Sequence, residues 1–307
     1  MTTMGRTSRL TSALRTHIEW CAARLFIERV RRVSPQGAYR SGVGLGDLAW
    51  LLLFRRRRIA RKNVRAALDG RSDAERARIV RASFRSFGRT LVEALRLPED
   101  PPSVCWAEPD VLGPFIRVGR PAIIVSGHLG NWEVAAWAIA KRGGKLHLVI
   151  APPHNPLIAG FFEQQRRAWG VLPHDRVASV RPLLAALKRG ELVGTAADQW
   201  PGTAPSLTVA LFGRPTLFGT GMFRLAAHAC VPVVAVAATR TDESVGSPGS
   251  RFTITTALVW DGNSPLPSPE EMVRRWAGLL EEQIIAHPEQ YLWLHRRWKA
   301  APPTVGR

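Results

Sequence analysis

Pro121-Ala-Ile-Ile-Val-Ser-Gly-His-Leu-Gly-Asn-Trp-Glu133 is the stretch on which the reading of this chain turns. Ala122 to Ser126 is a short, apolar, β-branched run, and Gly127 lets the chain turn without a side-chain penalty. Asn131 is an adequate helix cap, so a helix is expected from Asn131 to Lys141, with Glu133 in its first turn. A uniformly apolar strand followed at once by a helix predicts a sheet covered on both faces.

The pattern repeats on both sides of this stretch. Leu146 to Ala151 is a second apolar run, followed by a helix from Pro156 to Trp169. Leu192 to Ala197 and Val231 to Ala238 read as further strands, with helices near Val180 to Lys188 and Thr220 to His228. The expected fold is therefore α/β, with a mostly parallel central sheet flanked by helices. Phe252 to Trp260 alternates more clearly and is expected at an edge of the sheet, and a last helix covers about Pro269 to Ala286.

Upstream, the first hundred residues read as helical. Leu10, Leu14, Ile18, Cys21 and Leu25 recur at three- and four-residue intervals, which makes an amphipathic helix with a basic bias. Ser34 and Pro35 are expected to end it, and Gly37, Gly42, Gly44 and Gly46 to form a flexible join. A further helix runs from about Asp73 to Leu97 and stops at Pro98, Pro101 and Pro102. The expected organisation is a helical, membrane-docking layer over 1–100 and an α/β core over 101–307, integrated as one domain.

Among 307 residues, 43 Lys and Arg face 24 Asp and Glu, for a formal charge of +19. Such an excess calls for a polyanionic neighbour, either nucleic acid or an anionic bilayer. Trp50, Leu51, Leu52, Leu53 and Phe54 immediately precede Arg55, Arg56, Arg57 and Arg58, with Arg61, Lys62 and Arg65 beyond them. An apolar wedge beside a basic cluster, without any recognised nucleic-acid module, favours lipid. Trp50, Phe54 and Arg55 to Arg58 are thus the expected docking residues, and no nucleic-acid partner is expected.

No run approaches the roughly 20 apolar residues of a membrane span. The nearest, Val43 to Phe54, is short, carries Asp47 and reads as a buried or interfacial helix. No signal-peptide pattern is evident at the start. Cys21, Cys105 and Cys230 lie far apart and read as core or near-core residues, from which a reducing compartment follows. His147, His154, His174, His228 and His287 show no convergent metal-ligand spacing, so a metal-free reaction is expected.

His128 is expected at the carboxyl end of a strand, where open α/β sheets place their ligands. Within one helix a separation of five would point His128 and Glu133 apart. Across a strand-turn-helix corner it can bring the carboxylate to the imidazole. Two readings follow from the residues: a His held in one tautomer to take a proton from an alcohol, or a structural His capped by a neighbouring acid.

His128 with Glu133 resembles the His-x4-Asp/Glu motif of the lysophospholipid acyltransferase superfamily. Asn155 to Gly170, with Arg166 four residues before Gly170, resembles a second block of that superfamily. Ala197-Asp-Gln199, with Leu211-Phe-Gly213 and Gly219-Thr-Gly221, resembles a third. Pro288 to Lys299, including His295-Arg-Arg-Trp-Lys299, closely resembles the carboxyl-terminal signature of the lauroyl and myristoyl acyltransferases of lipid A biosynthesis. The resemblance begins faintly near Leu45 and spans most of the chain.

It implies a glycerol-3-phosphate acyltransferase-like fold and transfer of a fatty acyl group to a hydroxyl of a membrane glycolipid. The donor is a thioester of acyl carrier protein or coenzyme A, used as co-substrate without a further cofactor. The acceptor implied is a lipid A precursor, with another bacterial glycolipid such as a mannolipid as the alternative. In the mechanism implied, His128 is the general base, Glu133 orients it, and donors at the helix start near Asn131, or a nearby basic side chain, stabilise the oxyanion. Arg166 is the expected anion clamp. Asp198 is expected to position Arg166 or the acceptor, while Asn131, Gln199, His295, Arg296 and Arg297 are expected to contact substrate.

Members of this family typically carry a hydrophobic membrane helix at the amino end. Leu10 to Val33 is only amphipathic, so peripheral attachment at the cytoplasmic face of the bacterial inner membrane is expected. Two rival classes fit less well. A hydrolase lacks its G-x-S-x-G elbow, and a non-catalytic lipid-binding protein leaves the ordered His128, Glu133, Arg166 and Asp198 set without a purpose.

Overall fold

The computed structural model describes residues 4–176, 180–199, 202, 204–241 and 251–298, with side chains from residue 13 onward. Four helices come first: α1 (Met4–Arg32), α2 (Pro35–Leu52), α3 (Phe54–Ala67) and α4 (Asp73–Arg96). Ser34 does not only close α1. Its hydroxyl accepts from Gly37 N and caps α2, with Pro35 in the first turn.

The glycines expected to form a flexible join lie inside α2 instead. A Cβ on Gly42 would sit 2.8 Å from Arg89 Cα, so Gly42, with Gly46 and Gly88, lets α2 and α4 approach backbone to backbone. Close helix contact, not turn chemistry, accounts for Gly42 and Gly46, whereas a Cβ on Gly44 would meet nothing within 4 Å. On α1 the apolar stripe faces outward, since Leu14, Ile18 and Leu25 are exposed, while Ile27 and Val30 pack inward. Leu10 lies where side chains are not described.

The second part comprises β1 (Ser103–Trp106), α5 (Gly113–Val118), β2 (Ala122–Ser126), α6 (Trp132–Lys141), β3 (Leu146–Ile150), α7 (Pro156–Ala168), β4 (Val171–Asp175), α8 (Val180–Lys188) and β5 (Leu192–Ala196). A hairpin of β6 (Ser206–Leu211) and β7 (Arg214–Gly219) follows, then α9 (Gly221–Ala229), β8 (Val233–Arg240), β9 (Arg251–Trp260), α10 (Pro269–Ala286) and a 3₁₀ turn (Pro288–Gln290). The main sheet runs β1-β9-β8-β2-β5-β3-β4, and every pairing is parallel except β8 with β9. The α/β, mostly parallel architecture is as expected. β9 is not an edge strand, however, because β1 pairs outside it in a register the short Ser103–Trp106 segment did not announce.

Two cores sandwich the sheet. Ile123 and Val125 join Val193, Val233, Phe223, Trp276 and Leu280 on one face. Ile124, between them, joins Val134, Ala135, Ile139, Leu192 and Val234 on the other. Successive residues of a strand point to opposite faces, so a strand buried on both must be apolar throughout. The three cysteines are all exposed, which corrects the core assignment: Cys230, for example, is the left-handed cap of α9.

Candidate active site

β2 and β5 are parallel neighbours, with Ser126 opposite Ala196. Ala197 N still donates to Ser126 O at 2.8 Å, so the two chains leave the sheet side by side. Two residues on, His128 and Asp198 meet. His128 Nδ1 lies 2.6 Å from Asp198 Oδ1, and the His128 backbone N–H donates to Asp198 Oδ2 at 3.0 Å. Gln199 Nε2 lies 3.1 Å from His128 Nε2, and the Trp132 ring stands edge-on with its centroid 4.7 Å away.

This arrangement selects one tautomer. With both Asp198 oxygens accepting, Nδ1 carries the proton, and Nε2 keeps a lone pair that the Gln199 amide contacts. Burial pushes the Asp198 carboxyl upward. The His128 ring and the hydrogen bonds from its side chain and backbone outweigh that, and hold the group at about 2. Asp198 therefore stays ionised wherever the protein is folded at ordinary pH. Tyr291 completes the floor: burial, then the Asp198 charge to which its hydroxyl is hydrogen-bonded, raises the phenol well above its usual range.

Glu133 is elsewhere, which corrects the expected pairing. Its two oxygens meet Arg166, Nε to Oε2 at 3.0 Å and Nη2 to Oε1 at 2.5 Å, as a bidentate fork between α6 and α7. Arg166 accordingly meets its anion inside the protein, and the anion-clamp expectation does not describe its fork. The physical reason is the helix. Once Asn131 caps α6, Glu133 points along the first turn toward α7, while the His128 ring turns toward β5.

Asn131 is also corrected. It is wholly buried, its Oδ1 accepts from Glu133 N and Val134 N, and its Nδ2 donates to Glu93 and Thr90 O. It shapes the loop and does not face a substrate, and two of the helix-start N–H groups, those of Glu133 and Val134, are spent on it. The expected partner of Asp198 was Arg166 or an acceptor, whereas Asp198 is bound to His128.

The carboxyl-terminal segment lines the same pocket. His295 is half-buried near Asp198, His128, Arg297 and Arg56, and burial lowers its basicity. Arg297 is 3% exposed, with its guanidinium carbon 4.1 Å over the Phe218 ring and Nη1 donating to Leu217 O at 2.8 Å. Burial lowers its basicity too, against the opposing pull of Tyr291 and Asp198. Arg297 as placed is a buried counter-charge to Asp198, not a surface hand for a phosphate. Arg296 is exposed, and Lys299 lies outside the described residues.

A cavity of about 250 Å³ lies between α10 and strands β8 and β9, with Glu108, Thr255, Thr256, Glu282 and Gln283 on its polar part. Gly127, Leu129, Ala235, Ala237, Trp276 and Leu280 line its apolar part. On the surface, Leu48, Leu51, Leu52, Leu53 and Phe54 are exposed at the elbow between α2 and α3, and Arg55, Arg58, Arg61, Lys62 and Arg65 are exposed along α3. Trp50 is not among them. It packs on the core, under Arg57 at 4.5 Å and Arg81 at 5.2 Å. Arg56 reaches back to the Leu294 carbonyl, next to His295, which ties the elbow to the pocket. Among the described residues no helix is long and apolar enough to cross a membrane.

Residues 5–300 match the family model described as bacterial lipid A biosynthesis acyltransferase. The chain is 29% identical over 288 residues to the lipid A biosynthesis lauroyltransferase of Escherichia coli (strain K12), covering 87% of each chain. It is 28% identical to the lipid A biosynthesis palmitoleoyltransferase of the same organism, over 85% of this chain and 84% of the relative. With the lipid A biosynthesis myristoyltransferase of that organism it shares 25% identity, over 84% of this chain and 80% of the relative.

Proposed function

Because the chain belongs to the bacterial lipid A biosynthesis acyltransferase family and is an O-acyltransferase, we propose that His128 is its general base and Asp198 the residue that orients it. The observation that carries this reading is the 2.6 Å contact between His128 Nδ1 and the buried Asp198 carboxylate. It leaves Nε2 to take the proton from an acceptor hydroxyl as its oxygen attacks the thioester carbonyl. The carbonyl π pair moves to oxygen in the tetrahedral intermediate. Collapse restores the carbonyl, expels the thiolate and leaves the acyl group as an ester. The proton on His128 passes to the departing sulfur, and Asp198 stabilises the imidazolium in between.

The donor is a fatty acyl thioester of acyl carrier protein or coenzyme A, and the acceptor a lipid A-type glycolipid held in the bilayer. The relatives named for lauroyl, palmitoleoyl and myristoyl transfer support a medium-to-long acyl chain. The apolar part of the cavity, lined by Gly127 and Leu129 on either side of His128 in the chain, is where such a chain would lie in this reading.

Attachment is peripheral in this reading. Leu51 to Phe54 insert shallowly while the exposed basic face of α3 meets anionic headgroups, each cation near the surface contributing about 1 kcal/mol. Arg56 then places the pocket next to the lipid. Glu133 and Arg166 brace α6 against α7 behind the base, and Gln199 approaches Nε2 from the acceptor side.

The test is lipid mass spectrometry on a strain lacking the gene, together with reconstitution of the purified protein. A lipid A species lighter by one acyl chain, restored on incubation with the acyl thioester, supports the proposal. A change confined to a mannolipid would reassign the acceptor, and no acyl change in any lipid would refute the function.

A further inference from the structure

The segment from His128 to Asn131 is held from outside the α/β core. Arg240, the last residue of β8, is 2% exposed, and all three of its guanidinium nitrogens are hydrogen-bonded to α4. Nε donates to Glu93 at 2.8 and 3.1 Å, Nη2 to Glu93 Oε2 at 2.6 Å and to Thr90 Oγ1 at 2.7 Å, and Nη1 to Ser86 Oγ at 3.0 Å.

Three routes lead from this knot to the catalytic loop. Thr90 Oγ1 accepts from Arg240 and donates to Gly130 O at 2.8 Å. Glu93 accepts from Asn131 Nδ2 at 3.0 Å. Gln290 clamps both backbone groups of Arg240, while its own carbonyl accepts from Gly130 N at 3.0 Å. Gly130 has φ +63°, and a Cβ there would collide with Ala238 O, so the loop has no slack. With Leu292 N donating to His128 O at 2.9 Å, polar groups from His128 to Asn131 are held on both sides of the ring.

We propose that the buried Glu93–Arg240 pair is the positioning device for His128, which makes α4 part of the catalytic apparatus although it touches no substrate. A buried ion pair adds little net stability over apolar residues of the same volume. What a fully bonded pair supplies is one geometry. Here that geometry sets the height of Gly130 and Asn131, and through them the direction of the imidazole toward Asp198. This rests on His128 being the base.

The experiment compares wild type with Glu93→Gln, Arg240→Lys and the isosteric Thr90→Val, using whole protein labelled with ¹⁵N-histidine. The His128 ring signal is identified by its loss in His128→Ala. The expected result is at least tenfold faster exchange of the His128 Nδ1 proton with solvent in Glu93→Gln and Arg240→Lys, and a smaller effect in Thr90→Val. A displacement approaching 1 Å is enough for kcat to fall roughly 10–100-fold, with KM for the acyl thioester within about threefold. The His147–His174 pair, hydrogen-bonded at 2.8 Å between β3 and β4 at the far edge of the sheet, is the internal control and keeps its signals. An unchanged His128 proton in both charge variants would overturn the proposal. So would joint loss of the His128, His147 and His174 signals in all three variants, which would make the pair a stability element only. A wild type without acyl transfer would sink the base assignment, while the exchange rates would still decide whether the pair positions the ring.

Discussion

Replacing Asp198 with Asn removes the charge on which the His128 tautomer depends, with almost no change of shape. The carboxylate accepts from two donors, the ring Nδ1–H and the His128 backbone N–H. An amide offers one oxygen and one NH₂ in the same places. The backbone N–H cannot change its nature, so the amide oxygen turns to it and the NH₂ faces Nδ1. The ring answers by moving its proton to Nε2, where it can no longer accept one. The same substitution in a Ser-His-Asp site lowers turnover by about 10⁴, or roughly 5 kcal/mol of barrier, and a fall of that order is expected here. The assay is single-turnover transfer from a radiolabelled acyl thioester to lipid acceptor at saturating concentrations, with far-UV circular dichroism to confirm the fold. Turnover within tenfold of wild type would refute the tautomer argument.

Other outcomes follow from the same geometry. Glu133→Gln leaves Arg166 without its charged partner in a site about one-tenth exposed, so a loss of about 3 kcal/mol is expected in chemical denaturation, with a smaller fall in turnover than Asp198→Asn. The depressed Asp198 pKa implies stability that is present above the ordinary carboxylate range and lost as pH falls toward about 2. The gap in Tm between wild type and Asp198→Asn is therefore expected to close between about pH 4 and pH 2. Ala237→Leu intrudes on the apolar part of the cavity, and competition between thioesters is expected to shift toward shorter acyl chains, with little change in turnover on the shortest. Arg55→Gln with Arg58→Gln is expected to weaken sedimentation with anionic liposomes but not the weak binding to neutral ones, and equal binding of both proteins to anionic liposomes would remove the basic face from the account.

The central sheet was legible because its strands are buried on both faces, so Ala122 to Ser126 or Leu192 to Ala197 stands out as a continuous apolar run. β1 and β4 were not legible, since Ser103–Trp106 and Val171–Asp175 are short, mixed and at the edges. Gly42 and Gly46 of α2 misled because a glycine that admits a neighbouring helix is indistinguishable in sequence from one that makes a turn. His128 could be found from its strand end, and Asp198 could be placed near the cleft by the same reasoning. Their pairing needed the register of β2 on β5, which spacing along the chain does not contain. Proximity in sequence favoured Glu133 instead, and the nearer acid turned out to belong to Arg166. Arg240 carried one readable signal: a cation at the end of a buried apolar strand requires a partner, but nothing in the sequence pointed to Glu93, 147 residues away.

The most direct test of the account is acyl transfer by His128→Ala, measured as product mass from acyl thioester and membrane lipid under conditions where wild type turns over many times. The account predicts a folded protein whose turnover is lower by about 10²–10⁴, the usual contribution of a positioned base. Turnover within about threefold of wild type would contradict it.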